Sequence, residues 1–126
     1  MQNEQPMPDA RFELLQLEPN LGLSIKGSNA MHSGLGSLHK DDMFLYLDGT
    51  GCFRLGQVIC FASGPKPLSA EMFYFVRCRP YNQIRAGVWA AARTSLFFMP
   101  IDKLVAVVPC YKLDGGNSVW PLFPWM

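Results

Sequence analysis

Arginine and aromatic residues interleave in Met72-Phe73-Tyr74-Phe75-Val76-Arg77-Cys78-Arg79-Pro80-Tyr81-Asn82, the stretch of this chain best equipped for chemistry. In an extended strand successive side chains point to opposite faces. That predicts Phe73, Phe75 and Arg77 on one face, with Met72, Tyr74, Val76 and Cys78 on the other. An aromatic face attracts a cation with about 0.5–2 kcal/mol, and the same ring can stack on an exposed base. Arg79 shares the face of Arg77, and Arg85 and Arg93 follow, with Tyr81 and Trp89 between them. Guanidinium forks suit phosphates and carboxylates. The chemistry implied is noncovalent binding. The expected groove is lined by Tyr46, Phe73, Tyr74, Tyr81 and Trp89, with Arg77 and Arg79 at its rim.

Catalysis has thinner support. Nucleophilic chemistry needs a Ser or Cys beside a base that a third group orients. The two histidines, His32 and His39, lie in a Gly/Ser-rich segment, and His39 precedes Asp41-Asp42. A Cys52/His39/Asp42 arrangement, hence a small cysteine-dependent hydrolase, is the one enzyme alternative, but no nucleophile-elbow or protease motif frames it. His32, His39 and the two acids lack a recognised metal spacing, and Gly34-Leu35-Gly36 lacks the strand-to-helix context of a phosphate loop. No catalytic residue, metal or cofactor is expected.

Composition agrees with a binding domain. The 126 residues are 49% hydrophobic and 17% charged, enough apolar material for one domain with a real core and too little charge for disorder. The net charge of +1 conceals an asymmetry. Residues 1–50 hold three Lys/Arg against seven Asp/Glu, residues 51–126 eight against three. The basic half could meet phosphate or an acidic partner, yet it falls short of a dedicated DNA binder. Cys52, Cys60, Cys78 and Cys110 form no Cys-x-x-Cys pair, so reduced, core-filling thiols are expected. The polar N-terminus lacks the order of a signal peptide, and no apolar run reaches the roughly 18 residues of a membrane span. An intracellular protein, nuclear or cytoplasmic, is expected.

Ten prolines and eleven glycines cut the chain into short runs. Residues 1–26 read as an N-terminal segment, a separate or fused piece. It holds Asp9–Leu17 as a helix capped by Asp9, or a strand, and Leu21–Lys26 as a strand. Residues 27–42 have the composition of a flexible linker or loop. Residues 43–126 read as the β-barrel domain, with strands at Met43–Leu47, Cys52–Phe61, Glu71–Arg79, Ser95–Met99 and Leu104–Val108. Gly56 is the expected bend or bulge, and Val88–Arg93 is expected to make one or two helical turns. The apolar end Phe123-Pro124-Trp125-Met126 suggests a domain cut from a longer protein, or a terminus docked on the core. The fold class is all-β: a small, partly open antiparallel barrel of five to seven strands with at most one or two short helices.

Three blocks in order carry a family resemblance: Leu55-Gly-Gln-Val-Ile59, the Met72–Asn82 stretch with its Arg79-Pro80-Tyr81 exit, and Leu96-Phe-Phe-Met-Pro-Ile-Asp-Lys-Leu-Val-Ala-Val-Val-Pro-Cys-Tyr111. Over residues 43–113 this order resembles bromo-adjacent homology (BAH) domains. Tyr81-Asn82 stands where an acidic residue and threonine often follow the proline, and no complete methyl-lysine cage carries over. The resemblance implies a non-catalytic module that binds a protein or peptide, of chromatin type and possibly histone-like; the alternative on the same arginines is a nucleic-acid-binding barrel.

Overall fold

Two long strands form the axis of the fold. The computed structural model describes residues 4–7, 10–21, 24–33 and 36–123. In chain order these form β1 (Gln5–Pro6), α1 (Arg11–Leu17), β2 (Lys26–Ser28), β3 (Ala30–Ser33), β4 (Gly36–His39), β5 (Met43–Leu47), β6 (Phe53–Pro65), β7 (Met72–Arg85), β8 (Val88–Ala91), β9 (Phe97–Pro100), β10 (Leu104–Val107), β11 (Cys110–Leu113) and β12 (Ser118–Pro121). Single 3-10 turns occupy Ile101–Lys103 and Asp114–Gly116. The expected cap Asp9, part of the expected strand at Gly22-Leu23, and Pro124-Trp125-Met126 lie outside the described residues.

β6 and β7 pair antiparallel from Leu55↔Tyr81 to Pro65↔Met72. Each changes its second neighbour part-way along. β6 pairs β5 over Phe53–Gln57 and β2 over Phe61–Ser63, while β7 pairs β9 over Phe75–Cys78 and β8 beyond Tyr81. Handing over partners in this way lets a sheet of ten strands curl into a half-barrel. β3 and β4 form a separate two-stranded hairpin. All described pairings are antiparallel, so the protein is an all-β open barrel, with more strands than five to seven.

A bulge sets which side chains enter the core. Register shifts between Val58↔Cys78 and Cys60↔Arg77, leaving Ile59 as the extra residue. Val58 and Phe61 have opposite parity, yet after the bulge both join the core of Phe44, Tyr46, Val76 and Cys78, closed by Met31 and Leu38 of the β3–β4 hairpin. The bulge is therefore at Ile59, not at Gly56. Gly56 instead permits close approach, since a Cβ there would stand 3.1 Å from both the Phe44 and Tyr46 rings.

The opposite face of the same strands is covered twice. Leu14 of α1 and Ala10 at its N-cap, with Leu21 and Ile25, pack on Ala62, Phe75 and Phe98. At the other end Val108 and Val119 cover Met43, Leu45, Leu55 and Tyr81. Residues 27–42, expected as linker or loop, contain the end of β2 and the β3–β4 hairpin. Val88–Ala91, expected as helical turns, is β8, held between β7 and β12. Alanine-rich helix propensity is a weak preference that two flanking ladders override. No helix of the described residues is long and apolar enough to cross a membrane.

Candidate binding site

Strand alternation puts Phe73, Phe75, Arg77, Arg79 and Tyr81 on one face of β7, and the elements above then divide them. α1 covers the face at Phe75 and the C-terminal hairpin covers it at Tyr81, leaving Arg77 and Arg79 between, opposite Cys60 and Gln57 of β6. Arg77 is not a free cation. Its guanidinium lies 3.7 Å from Glu13 of α1 and 5.6 Å over the Phe98 ring, with Nε buried and lacking a hydrogen bond.

The other expected groove residues go elsewhere. Phe73 packs beside the α1 core with Lys66 Nζ 4.8 Å above its ring. Tyr74 is exposed on the reverse face, and Tyr46 is buried there, its ring 5.7 Å from those of Phe44 and Phe97. Trp89 meets Phe123 edge-on at 5.9 Å. The seven residues therefore do not line one groove. Only Arg79, Tyr81 and Trp89 share a neighbourhood, at the C-terminal hairpin.

There the protein holds a cavity of ≈ 570 Å³, within the usual range for ligand sites. Met43, Val108 and Val119 make an apolar floor; Asp41, Gln57 and Lys112 stand among its polar lining. Tyr81 is 7% exposed and lines the cavity, yet its hydroxyl has no hydrogen bond among the described residues. Burial raises its pKa, opposed by Arg79 and reinforced by Cys110 and Asp41, so the hydroxyl sits among these groups. Burial also pushes the Cys110 thiol up to about 11, so it lines the wall as a neutral group.

No known family model, curated protein or solved structure matches this chain.

The acidic corner of the cavity is rigidly held. Asp41 has φ +73°, a left-handed conformation that Asp tolerates better than most residues. Its N–H donates to the Val58 carbonyl at 2.8 Å, and the Val58 N–H donates to the Asp42 carbonyl at 2.9 Å. Asp42 is already engaged, accepting the His39 N–H at 2.8 Å. The Asp41 carboxylate has no partner among the described residues and remains available at the cavity. Gln57, Lys112 and Cys110, which also line the cavity, carried no site signal in the sequence. The Lys112–Asn117 turn signal marked the position of the last two without marking their use.

β11 has a second property that bears on this site. It pairs only with β12, so its other edge carries unpaired backbone groups among the described residues. Cys110 and Lys112 point into the cavity beside Val119, while Tyr111 and Trp120, 65% and 42% exposed, occupy the reverse side of the hairpin.

The hydrolase arrangement has no comparable geometry. His39 precedes β5 and Cys52 follows the turn after it; the intervening five-residue strand spans roughly 13 Å, far beyond hydrogen-bond reach. No cluster of three or more His, Cys, Asp or Glu able to hold a metal occurs among the described residues.

Proposed function

We propose that this domain is a non-catalytic module that binds an extended protein segment along the free edge of β11, with one side chain entering the cavity at Tyr81 and Asp41. The observation that carries this reading is the coincidence of an unpaired strand edge with a cavity lined by the largely buried Tyr81, whose hydroxyl has no partner among the described residues. A peptide added to an exposed edge gains main-chain hydrogen bonds, and its alternate side chains give specificity. Here one set would face the apolar floor and Asp41, and the other the exposed Tyr111 and Trp120. An apolar floor with a free carboxylate at its rim suits a long side chain that ends in a donor or cation.

The chromatin-type partner rests on the resemblance of residues 43–113 to BAH domains, so histone-tail peptides are the probes of choice. Titrating such peptides into labelled protein should move the backbone amide signals of Tyr81 and Cys110–Leu113 first. Asp41→Asn, which tolerates the same backbone conformation, should weaken binding about 10-fold, the scale of one lost charged hydrogen bond. Absence of any shift at millimolar peptide would remove the reading. Stronger, salt-sensitive shifts with a single-stranded oligonucleotide would replace it with nucleic-acid binding.

A further inference from the structure

A second cavity, of ≈ 370 Å³, opens on the reverse face of β5, at the end of the strand near the Asp48–Cys52 turn. Its walls are mainly apolar, with Tyr46, Phe97, Met99 and Leu17 among them, and its charged lining is Asp48, Arg54 and Lys103.

Two observations bear on what it would hold. Tyr46 is 5% exposed and lines the cavity, yet its hydroxyl has no hydrogen bond among the described residues. Arg54 and Asp48 both act on that hydroxyl, which puts it at the charged end of the cavity. The second is a charge imbalance. Asp48 is saturated: Oδ1 accepts from Thr50 N–H, Thr50 Oγ1–H and Cys52 N–H at 2.8, 2.6 and 3.0 Å, and Oδ2 accepts Arg54 Nε–H at 2.6 Å. That leaves the terminal guanidinium nitrogens of Arg54 unpaired among the described residues, and Lys103 likewise forms no ion pair. One neutralised carboxylate and two cations give the mouth of an apolar cavity a net positive charge.

We propose that this cavity binds a small molecule that joins an aromatic or branched apolar body to one anionic group, a carboxylate or sulfonate. The body would sit against the Tyr46 and Phe97 rings, which touch each other at a centroid distance of 5.7 Å and an angle of 55° and together form one apolar wall. The anion would take the Lys103 ammonium, the free Arg54 nitrogens and the Tyr46 hydroxyl as donors. Burying an apolar body while one end keeps charged hydrogen bonds is the usual economy of such sites. This site is independent of the peptide reading, since Tyr46 and Tyr81 lie on opposite faces of the sheet.

Phenylbutyrate and its neutral counterpart phenylbutanol test the proposal directly, with amide shifts mapping the location. Phenylbutyrate should bind with millimolar or tighter Kd, move the signals of Tyr46, Phe97 and Lys103, and exceed phenylbutanol by about fivefold or more. Lys103→Gln, an exposed change, should reduce that preference at least about twofold, and Tyr46→Phe should weaken phenylbutyrate by about 3- to 10-fold. Equal affinity for acid and alcohol, shifts confined to another region, a preference unchanged in Lys103→Gln, or no binding at about 10 mM would each overturn it.

Discussion

Glu13 Oε1 and Arg77 Nη2 stand 3.7 Å apart, tying α1 to the centre of β7. The sequence presents Arg77 as a rim residue of a groove; the helix claims it instead. Because Glu13 is 45% exposed, the ion pair itself contributes at most about 1 kcal/mol. Glu13→Gln should therefore lower stability by less than about 1 kcal/mol, an effect that fades in about 0.5 M salt. Arg77→Ala should cost more, because its guanidinium also lies over the Phe98 ring. Urea unfolding at two salt concentrations separates the two contributions.

α1 has seven residues, too few to be stable alone, so its stability comes from packing. Leu14 is fully buried against Ala62, Phe75 and Phe98. Leu14→Ala should cost about 2–5 kcal/mol and shift a single unfolding transition, read by the midpoint and slope of denaturation. A separate early transition with an unchanged main one would mean that α1 is not part of the cooperative unit.

Gly56 faces the Phe44 and Tyr46 rings so closely that a Cβ, 3.1 Å from each, would require them to shift. Gly56→Ala should destabilise by about 1–3 kcal/mol, as overpacking does. Near-ultraviolet dichroism, which reports on these rings, should change with it.

Asp48 carries a pH dependence. The Arg54 hydrogen bond first, then that of Thr50, holds its carboxyl well below the usual carboxylate range. A depressed folded-state pKa contributes stability that is fully present above the unfolded value, about pH 4, and is lost as pH falls toward the folded value. Acid unfolding of the native protein should steepen below about pH 4, and Asp48→Asn should flatten that limb. Titration of the Asp48 side-chain carbon by NMR should find it still ionised at about pH 3, where an ordinary aspartate (pKa about 3.9) is largely protonated.

The thiols should separate by accessibility. Burial pushes Cys78 up to about 12 and Cys110 up to about 11, and it raises Cys60 as well, with Arg77 opposing. Cys52 is exposed in its turn. Iodoacetamide at about pH 8 should label Cys52 first and leave Cys78 unreacted until the protein unfolds, as peptide mass spectrometry would record. Rapid labelling of Cys78 in native protein would contradict its placement in the core.

Much of the scaffold was legible in the chain. The apolar run Met43–Leu47, ended by Asp48-Gly49-Thr50-Gly51, and the alternation over Met72–Arg79 are local information; they predicted strands at these positions and the two faces of β7, although β7 runs on through Pro80 to Arg85. Other features depended on partners distant in sequence. Val88–Ala91 became a strand because β7 and β12 flank it, and residues 36–39 became β4 because Leu38 closes a core.

The site divides the same way. Residue type and spacing determined that this protein has an all-β frame with aromatic and arginine side chains alternating on β7, the second of its two long strands. Tertiary structure alone decided which of them remain available. Burial of both sheet faces consumes Phe75, Arg77 and Tyr46 in packing or ion pairing, and leaves the Tyr81 and Tyr46 hydroxyls at two cavities without partners among the described residues. Alternation assigns a side chain to a face, but only the elements packed against that face determine whether it meets solvent, a core or a ligand.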